Sequence, residues 1–435
     1  MRKTGTTADG GASANYREVI ALTGPLLPVL SFLARLPTAT IQFGSVLLVA
    51  RTSGSLTAAG LTGGALALGQ VACGPLVGRL ADRRGQRAVV LAFSLANALA
   101  IAGLVAGALA GLPTPVLAVL GAAAGATVPQ IGPMARTRLV ALARRAGARE
   151  STVGAAFSFE STLDEISFVL GPALVGMAAV TAHPGYALGG AAALVGLCGT
   201  GFALHRTGSV APVPERRDGP APTPQESRNT TRVPRSVHSL RAALALQGAM
   251  FGACQAGITA LTERLGQPDQ AGLVYAAMGV MSAVAGLSMA ALPARVGLTA
   301  RRRTATAAAF ALSLPLLWAD GLPALYATVT VLGVAYAPHL ITVFGLTERV
   351  VPPARLAEAM AVATSALVGG QALAVAGTGR LAESYGPAAA FGAASLAAAL
   401  ACVIALTARP ASYTGRTAAG DRHARVPDQP PSPSR

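Results

Sequence analysis

The sequence predicts an all-α membrane protein of twelve transmembrane helices arranged as two six-helix halves, and three observations carry that prediction. Of its 435 residues, 52% are hydrophobic and only 12% charged, and the mean hydropathy of +0.54 is too high for a soluble chain of this size. The apolar residues fall into a dozen runs, each near the roughly 20 residues that cross a bilayer as a helix. The basic residues fall in alternate gaps between those runs. Thirty of the 34 lie in one alternating set of gaps, three (Arg51, Arg264 and Arg380) lie in the other, and Arg35 lies inside a run. By the positive-inside rule this places both termini in the cytoplasm, and a wrong span count would scramble the alternation. The same placement excludes the nucleic-acid reading that a net charge of +16 would invite in a soluble protein.

Taken in order, residues 1–18 are polar and read as an N-terminal tail. The run from Val19 to Ala50 is too long for a signal-peptide core and reads as span one. Spans two to six follow at about 56–78, 88–111, 115–137, 153–180 and 185–205, closing an N-terminal bundle over 19–205. Residues 206–239 are rich in Pro, Arg, Thr and Ser, cannot bury a core, and read as a flexible cytoplasmic linker. Spans seven to twelve at about 240–262, 270–292, 304–319, 323–347, 356–379 and 386–408 make a C-terminal bundle over 240–408, followed by a tail at 409–435. The ninth is short and contains Pro315. Cys73, Cys198, Cys254 and Cys402 all lie inside spans and read as small packing residues, with no spacing that would hold a metal. No Gly-rich nucleotide loop, zinc spacing or nucleophile elbow stands in a usable context, so neither an enzyme nor a cofactor is expected.

The two halves share a weak internal repeat. Gly171-Pro172-Ala173-Leu174 followed by Tyr186 matches Gly370-Gln371-Ala372-Leu373 followed by Tyr385, with the same Gly-to-Tyr spacing. The loop after span two, Gly78-Arg79-Leu80-Ala81-Asp82-Arg83-Arg84-Gly85-Gln86-Arg87, is read as a tight charged turn whose two glycines permit it. It has a decayed counterpart in Leu292-Pro293-Ala294-Arg295-Val296-Gly297, where Ala294 stands in place of Asp82. The decapeptide resembles the loop between helices two and three of the major facilitator superfamily, with the pattern Gly-x-Leu-Ala-Asp-Arg-x-Gly-Arg-Arg/Lys. The resemblance implies the twelve-helix fold of that family's secondary transporters, working as a monomer. It also implies a conformational latch at Gly78, Asp82, Arg83, Gly85 and Arg87, in which the acid contacts the start of helix eleven near Ala354–Ala357.

Ionisable residues inside spans carry the functional argument: Arg35 in span one, and Glu160, Asp164 and Glu165 in span five. A charge facing lipid at a helix centre costs about 2.5–3.5 kcal/mol, so these four must face a cavity or one another. Arg35, Asp164 and Glu165 count to similar depths, Glu160 lies one turn nearer the cytoplasm, and Glu160 and Asp164 share a helix face. Under the repeat alignment the three acids correspond to Ala359, Ala363 and Thr364, so they occur in one half only, which favours proton coupling over a packing pair. Burial disfavours an ionised carboxylate and a neighbouring arginine favours it, so an acid whose distance to Arg35 changes between two conformations would take up a proton in one and release it in the other. Helices one, four, seven and ten line the cavity in the resembled family, which implies Gln42, Gln130, Gln255, Tyr336 and His339 as substrate contacts. Drug/proton antiporters of the family carry Gly-Pro-x-x-Gly-Gly in helix five, half-matched here by Gly171-Pro172-Ala173-Leu174-Val175-Gly176, and an arginine within helix four, whereas Arg136 and Arg138 fall at the cytoplasmic end of span four. One Lys against 33 Arg, with abundant Ala, Gly and Pro, points to a GC-rich bacterial genome and hence a bacterial plasma membrane. The expected function is proton-coupled efflux of a small amphiphilic organic compound. The rivals are a proton-coupled importer of a sugar or metabolite and a transport-inactive receptor of the same fold.

Overall fold

The computed structural model describes residues 8–209, 235–267, 270–293, 296–352 and 355–408, all helix, turn or connection. In chain order the helices are α1 (Ala8–Thr23), α2 (Leu26–Ser53), α3 (Leu56–Arg84), α4 (Gln86–Leu109), α5 (Thr114–Ala126), α6 (Ile131–Arg145), α7 (Glu150–Thr181) and α8 (Pro184–Leu204). After the linker come α9 (Arg235–Arg264), α10 (Gln270–Ser288), α11 (Leu298–Ser313), α12 (Leu322–Val350), α13 (Leu356–Tyr385) and α14 (Pro387–Thr407). Among the described residues, eleven segments are long and apolar enough to cross a membrane, with α5 and α6 forming one broken span. The ninth position of the series is filled by α11 and the 3-10 turn Leu314–Trp318. Three consecutive arginines, Arg301–Arg303, open that helix and Pro315 tightens its end, which shortens its apolar length.

Helix packing repeats between the halves. In the first, α2 packs on α7 and α8, α3 on α5, and α4 on α8; in the second, α9 packs on α13 and α14, α10 on α12, and α11 on α14. Small residues let these backbones approach, the usual basis of helix association where lipid is as apolar as the side chains. A Cβ on Gly125 would stand 1.9 Å from the Leu66 carbonyl oxygen, and one on Gly370 would stand 2.0 Å from that of Ala245.

Several boundaries differ from the sequence expectation for identifiable reasons. The run 19–50 is not one helix: Gly24, with φ of 73°, and Pro25 end α1 and turn the chain into α2. Span four breaks between α5 and α6, where Pro129 removes an N–H and Gln130 adopts a left-handed φ of 53°. Asn97 Nδ2 donates to the freed Ala124 carbonyl at 2.7 Å and to Thr127 Oγ1 at 3.1 Å, so the break is satisfied from within the protein. The helix after the break runs on to Arg145, well past the expected end at 137. The expected linker is shorter than 206–239, because Arg206–Ser209 form a 3-10 turn and α9 is already helical at Arg235. The remainder of that linker, Ala294 and Arg295 of the decayed loop, Ala354, and the C-terminal tail lie outside the described residues.

The Gly78–Arg87 loop also differs. Residues 78–84 continue α3, and only Gly85, at φ of 86°, makes the turn into α4. Gly78 serves a crossing instead: a Cβ there would lie 2.7 Å from the Ala357 carbonyl oxygen and 2.9 Å from the Glu358 Cα on α13. The halves meet along two related seams, α3 on α13 and α7 on α10. Both close at the end that carries the Gly85 turn, hereafter the hinge end. Val71, Gly74 and Gly78 contact residues 357–369, whereas one turn beyond Val71 and Gly369 the side chains of Leu68 and Leu373 are 72% and 78% exposed. The seam therefore parts toward the opposite end.

Candidate functional site

At the hinge end, Asp82 is held by the start of α13: its two carboxylate oxygens accept from the backbone N–H groups of Ala357 (3.1 Å) and Glu358 (2.7 Å). These are orphan donors of a helix N-terminus, where the helix dipole also favours an anion. Arg79 reaches the Glu358 carboxylate with Nε at 3.1 Å and Nη2 at 2.7 Å. Arg83 and Arg87 are exposed. A second ion pair, Arg144 with Glu348, joins α6 to α12 across the same end. The α7–α10 seam is closed by hydroxyls. Tyr16 on α1 donates to the Leu287 carbonyl at 2.7 Å and lies 3.0 Å from Ser158 Oγ, which itself donates to the Gly286 carbonyl. Burial raises the Tyr16 phenol above its usual range, so it stays a neutral donor.

In the N-terminal half four charged side chains converge beneath a cavity. Arg35 Nη1 donates to Asp164 Oδ1 at 2.7 Å and to the Glu160 carbonyl at 2.9 Å. Its Nη2 donates to Ser31 Oγ at 2.5 Å and pairs with the Glu160 carboxylate. The other Asp164 oxygen, Oδ2, is taken by Nη2 of Arg136. Two acids thus meet two arginines from three helices, an arrangement that removes the charge cost of burial only while all four stay engaged. The positions follow from local sequence. Glu160 and Asp164 are one turn apart on α7, and Gly132, just after the α5–α6 break, leaves room for the Asp164 carboxylate, which a Cβ there would meet at 3.0 Å. Gly171 lets α7 approach α2, with Ala39 Cβ 2.7 Å from where its own Cβ would stand.

Exposure separates the four. Arg35, Glu160 and Arg136 are 4%, 1% and 1% exposed, and Asp164 is 20% exposed. Asp164 is the member that opens on both of two adjoining cavity lobes, which share Asp164, Phe168 and Thr364. The lobe toward the C-terminal half encloses about 550 Å³ and is lined by Gln247, Phe251, Tyr336, Phe344 and Gln371. The lobe toward the N-terminal half encloses about 500 Å³ and is lined by Arg35, Gln70 and Gln130. Phe251 packs edge-on to both Tyr275 and Tyr336, making an aromatic wall. Gln247 donates to the Tyr336 carbonyl at 2.9 Å and keeps its Oε1 without a protein partner.

Among the residues expected at the site from sequence, Arg35, Glu160 and Asp164 come together, and Gln130 and Tyr336 line the cavity. Gln42 lies behind the lining, donating to Gln70 at 2.8 Å. Gln255 is half-buried on α9 outside both lobes, and His339 is buried on α12 with Nε2 unpartnered. The side chain of Glu165 lies outside those described. The residue missed from sequence is Arg136, placed at a span end where the structure buries it completely; Arg138 is equally buried, its guanidinium 3.9 Å from the centroid of Phe202 and its Nη1 on the Phe202 carbonyl at 2.9 Å. Charge parity was the available signal. Three acids in span five against one arginine in span one leave two carboxylates without a counterion, and Arg136 and Arg138 are the next arginines inward.

Comparison with known proteins agrees with this architecture. The family model described as Major Facilitator Superfamily matches residues 27–267 and again 242–432. Among curated proteins none matches by sequence. Similar solved structures include a bacterial homologue of the iron transporter ferroportin in an outward-facing state (16% identity, TM-score 0.69, 88% of this chain and 98% of that one). The human organic anion transporter MFSD10 (TETRAN) is similar at 18% identity and a TM-score of 0.63, over 90% of this chain and 99% of that one. The E. coli fucose:proton symporter is similar at 16% identity and a TM-score of 0.61, over 88% and 97%. With two matched repeats, a fold shared with transporters of unlike substrates and a central cavity between its halves, this multi-pass membrane protein belongs to the Major Facilitator Superfamily.

Proposed function

We propose that the chain is a secondary active transporter that exports a small amphiphilic organic compound in exchange for protons, by alternating access, with Asp164 as the proton carrier. One observation carries the reading: of four charges locked together in the membrane core, Asp164 is the most exposed and the one that lines both lobes of the cavity. A proton arriving from the open end meets it first, and neutralising it removes the negative charge that Arg35 and Arg136 share. Such a change gives the protein two charge states whose stability depends on conformation. The wall of Phe168, Phe251, Tyr336 and Phe344, with amide groups of Gln130, Gln247 and Gln371 between lobes, suits a partly apolar solute that also forms hydrogen bonds.

In this reading Asp82 is the latch of the hinge end, Gly78 the crossing that lets it close, and the basic loops mark that end as cytoplasmic. The protein then sits in a bacterial plasma membrane as a monomer, with both termini inside and the two bundles, 19–205 and 240–408, rocking about the cavity. The test is proton movement in proteoliposomes that hold a pH-sensitive dye, with amphiphilic compounds and sugars added in turn. A compound whose exit is accompanied by proton entry supports export. Entry of both together would replace export with import of a metabolite, and a broad panel without any flux would favour a receptor that kept the fold.

A further inference from the structure

We propose that Arg136 and Phe344 are the link through which the proton state of Asp164 governs the seal between the halves. The observations are geometric. The Arg136 guanidinium belongs to the N-terminal half but lies 4.0 Å from the centroid of Phe344, on α12 of the C-terminal half. Arg136 and Phe344 are both about 1% exposed. Beyond its bond to Asp164, Arg136 keeps Nε without a partner. Phe344 also lines the cavity lobe into which Asp164 opens. A buried cation therefore has a titratable counterion on one side and, as its dry cover, the other half of the protein.

This inference rests on the reading of Asp164 as the proton site, and it adds the route from that site to the seam. While Asp164 is ionised, Arg136 is neutralised and held flat against the ring, where a desolvated cation–π contact favours closure. When Asp164 takes a proton on Oδ2, the hydrogen bond from Arg136 Nη2 is lost. An uncompensated guanidinium is then left in a dry seam, which is strongly unfavourable. Withdrawal of Phe344 would bring water to it, so protonation favours parting of the halves at the hinge end.

Other charges around the pair do not take over this role. From α2 comes Arg35, engaged by Glu160 and Asp164; from α7 comes Glu160, engaged by Arg35; and from α6 comes Arg138, turned toward Phe202. On α12, Glu348 is paired with Arg144, and His339 is buried a turn and a half before Phe344. On α13, Glu358 is paired with Arg79 and Arg355. The Glu165 side chain is outside those described.

The experiment follows the full-length protein in nanodiscs by spin-label distance between positions 146 and 300, both exposed at the hinge end on opposite halves, at pH 7.5 and 5.5, with every sample, the otherwise wild-type one included, carrying Asp82→Asn so that the latch carboxylate contributes no pH response. The wild type is expected to gain open population on acidification. Asp164→Asn should be shifted toward open at both pH values, because Arg136 has permanently lost its counterion. Arg136→Gln should lie as far toward open as Phe344→Leu at pH 7.5, having lost the same cation–π contact, and should gain no further open population at pH 5.5, since no buried cation remains to be stranded. Two pH-insensitive variants, with Asp164→Asn the more open of the two, are the signature, and a merely structural role for Arg136 would not produce them. Phe344→Leu should shift the neutral-pH balance toward open by about two- to thirty-fold, with Phe344→Tyr near wild type. Wild-type pH response in Arg136→Gln, or a wild-type balance in Phe344→Leu, would overturn the link. Continued pH response in Asp164→Asn would instead remove Asp164 as the proton site, whatever Phe344 does.

Discussion

Replacing Asp82 by Ala removes one acceptor group and unsettles the whole hinge-end contact between α3 and α13. The carboxylate accepts two bonds, 3.1 Å from the Ala357 amide and 2.7 Å from the Glu358 amide, at the first turn of a 30-residue helix. Hydrogen bonds to a charged group contribute about 1.5–3 kcal/mol, and an anion at a helix N-terminus adds about 0.3–1 kcal/mol. Water replaces part of this once the seam parts, so the closed arrangement should lose about 2 kcal/mol relative to the open one, roughly a thirtyfold shift in their ratio. The same label pair at positions 146 and 300 reads that ratio directly. Asp82→Asn, which keeps one acceptor oxygen but no charge, should fall between Ala and wild type. An Ala variant with the wild-type distance distribution would refute the latch, and the two amide bonds would then be an ordinary helix cap.

Three further substitutions test other parts of the structure. Arg35→Gln leaves Glu160 buried without its counterion and should destabilise the protein by about 3–5 kcal/mol, read as a lowered unfolding temperature in detergent, with Arg35→Gln/Glu160→Gln recovering much of the loss. Gly78→Leu places a side chain where 2.7 Å is available, so the hinge end should stay open and the α3–α13 distance should increase; a wild-type spacing would contradict the tight crossing. Asn97→Ala leaves the Ala124 carbonyl at the α5–α6 break with only the longer 3.3 Å bond from Thr127 Oγ1 and should cost about 1 kcal/mol, with faster hydrogen exchange confined to residues 123–131.

The fold is legible in the sequence because the bilayer imposes a length and the positive-inside rule a parity. Apolar runs near the required length mark the spans, and the alternation of arginines orders them. Contacts decided by pairing across long separations are not legible in the same way. Arg136 reads as a helix terminus because hydropathy falls there, yet a buried arginine is tolerated once a carboxylate from another helix meets it. Gly78 and Gly85 look alike in the loop, but one serves a helix crossing and the other a turn, a distinction that only the position of α13 makes. The break at 127–130 has a visible signal in Pro129 and Pro133, whereas the side chain that satisfies it, Asn97, comes from a neighbouring span. The partners of Arg79 and Arg144, more than 200 residues away along the chain, leave no trace in local pattern.

The central claim is that Asp164 carries the coupled proton, and it is tested most directly by measuring two modes of transport on the same protein. Asp164→Asn and wild-type proteoliposomes would be compared for exchange of labelled against unlabelled substrate with no pH gradient, and for net transport driven by one. The account predicts that the variant retains exchange, since binding and rocking survive, but loses all response to the pH gradient. Gradient-driven transport at the wild-type level in Asp164→Asn would contradict it.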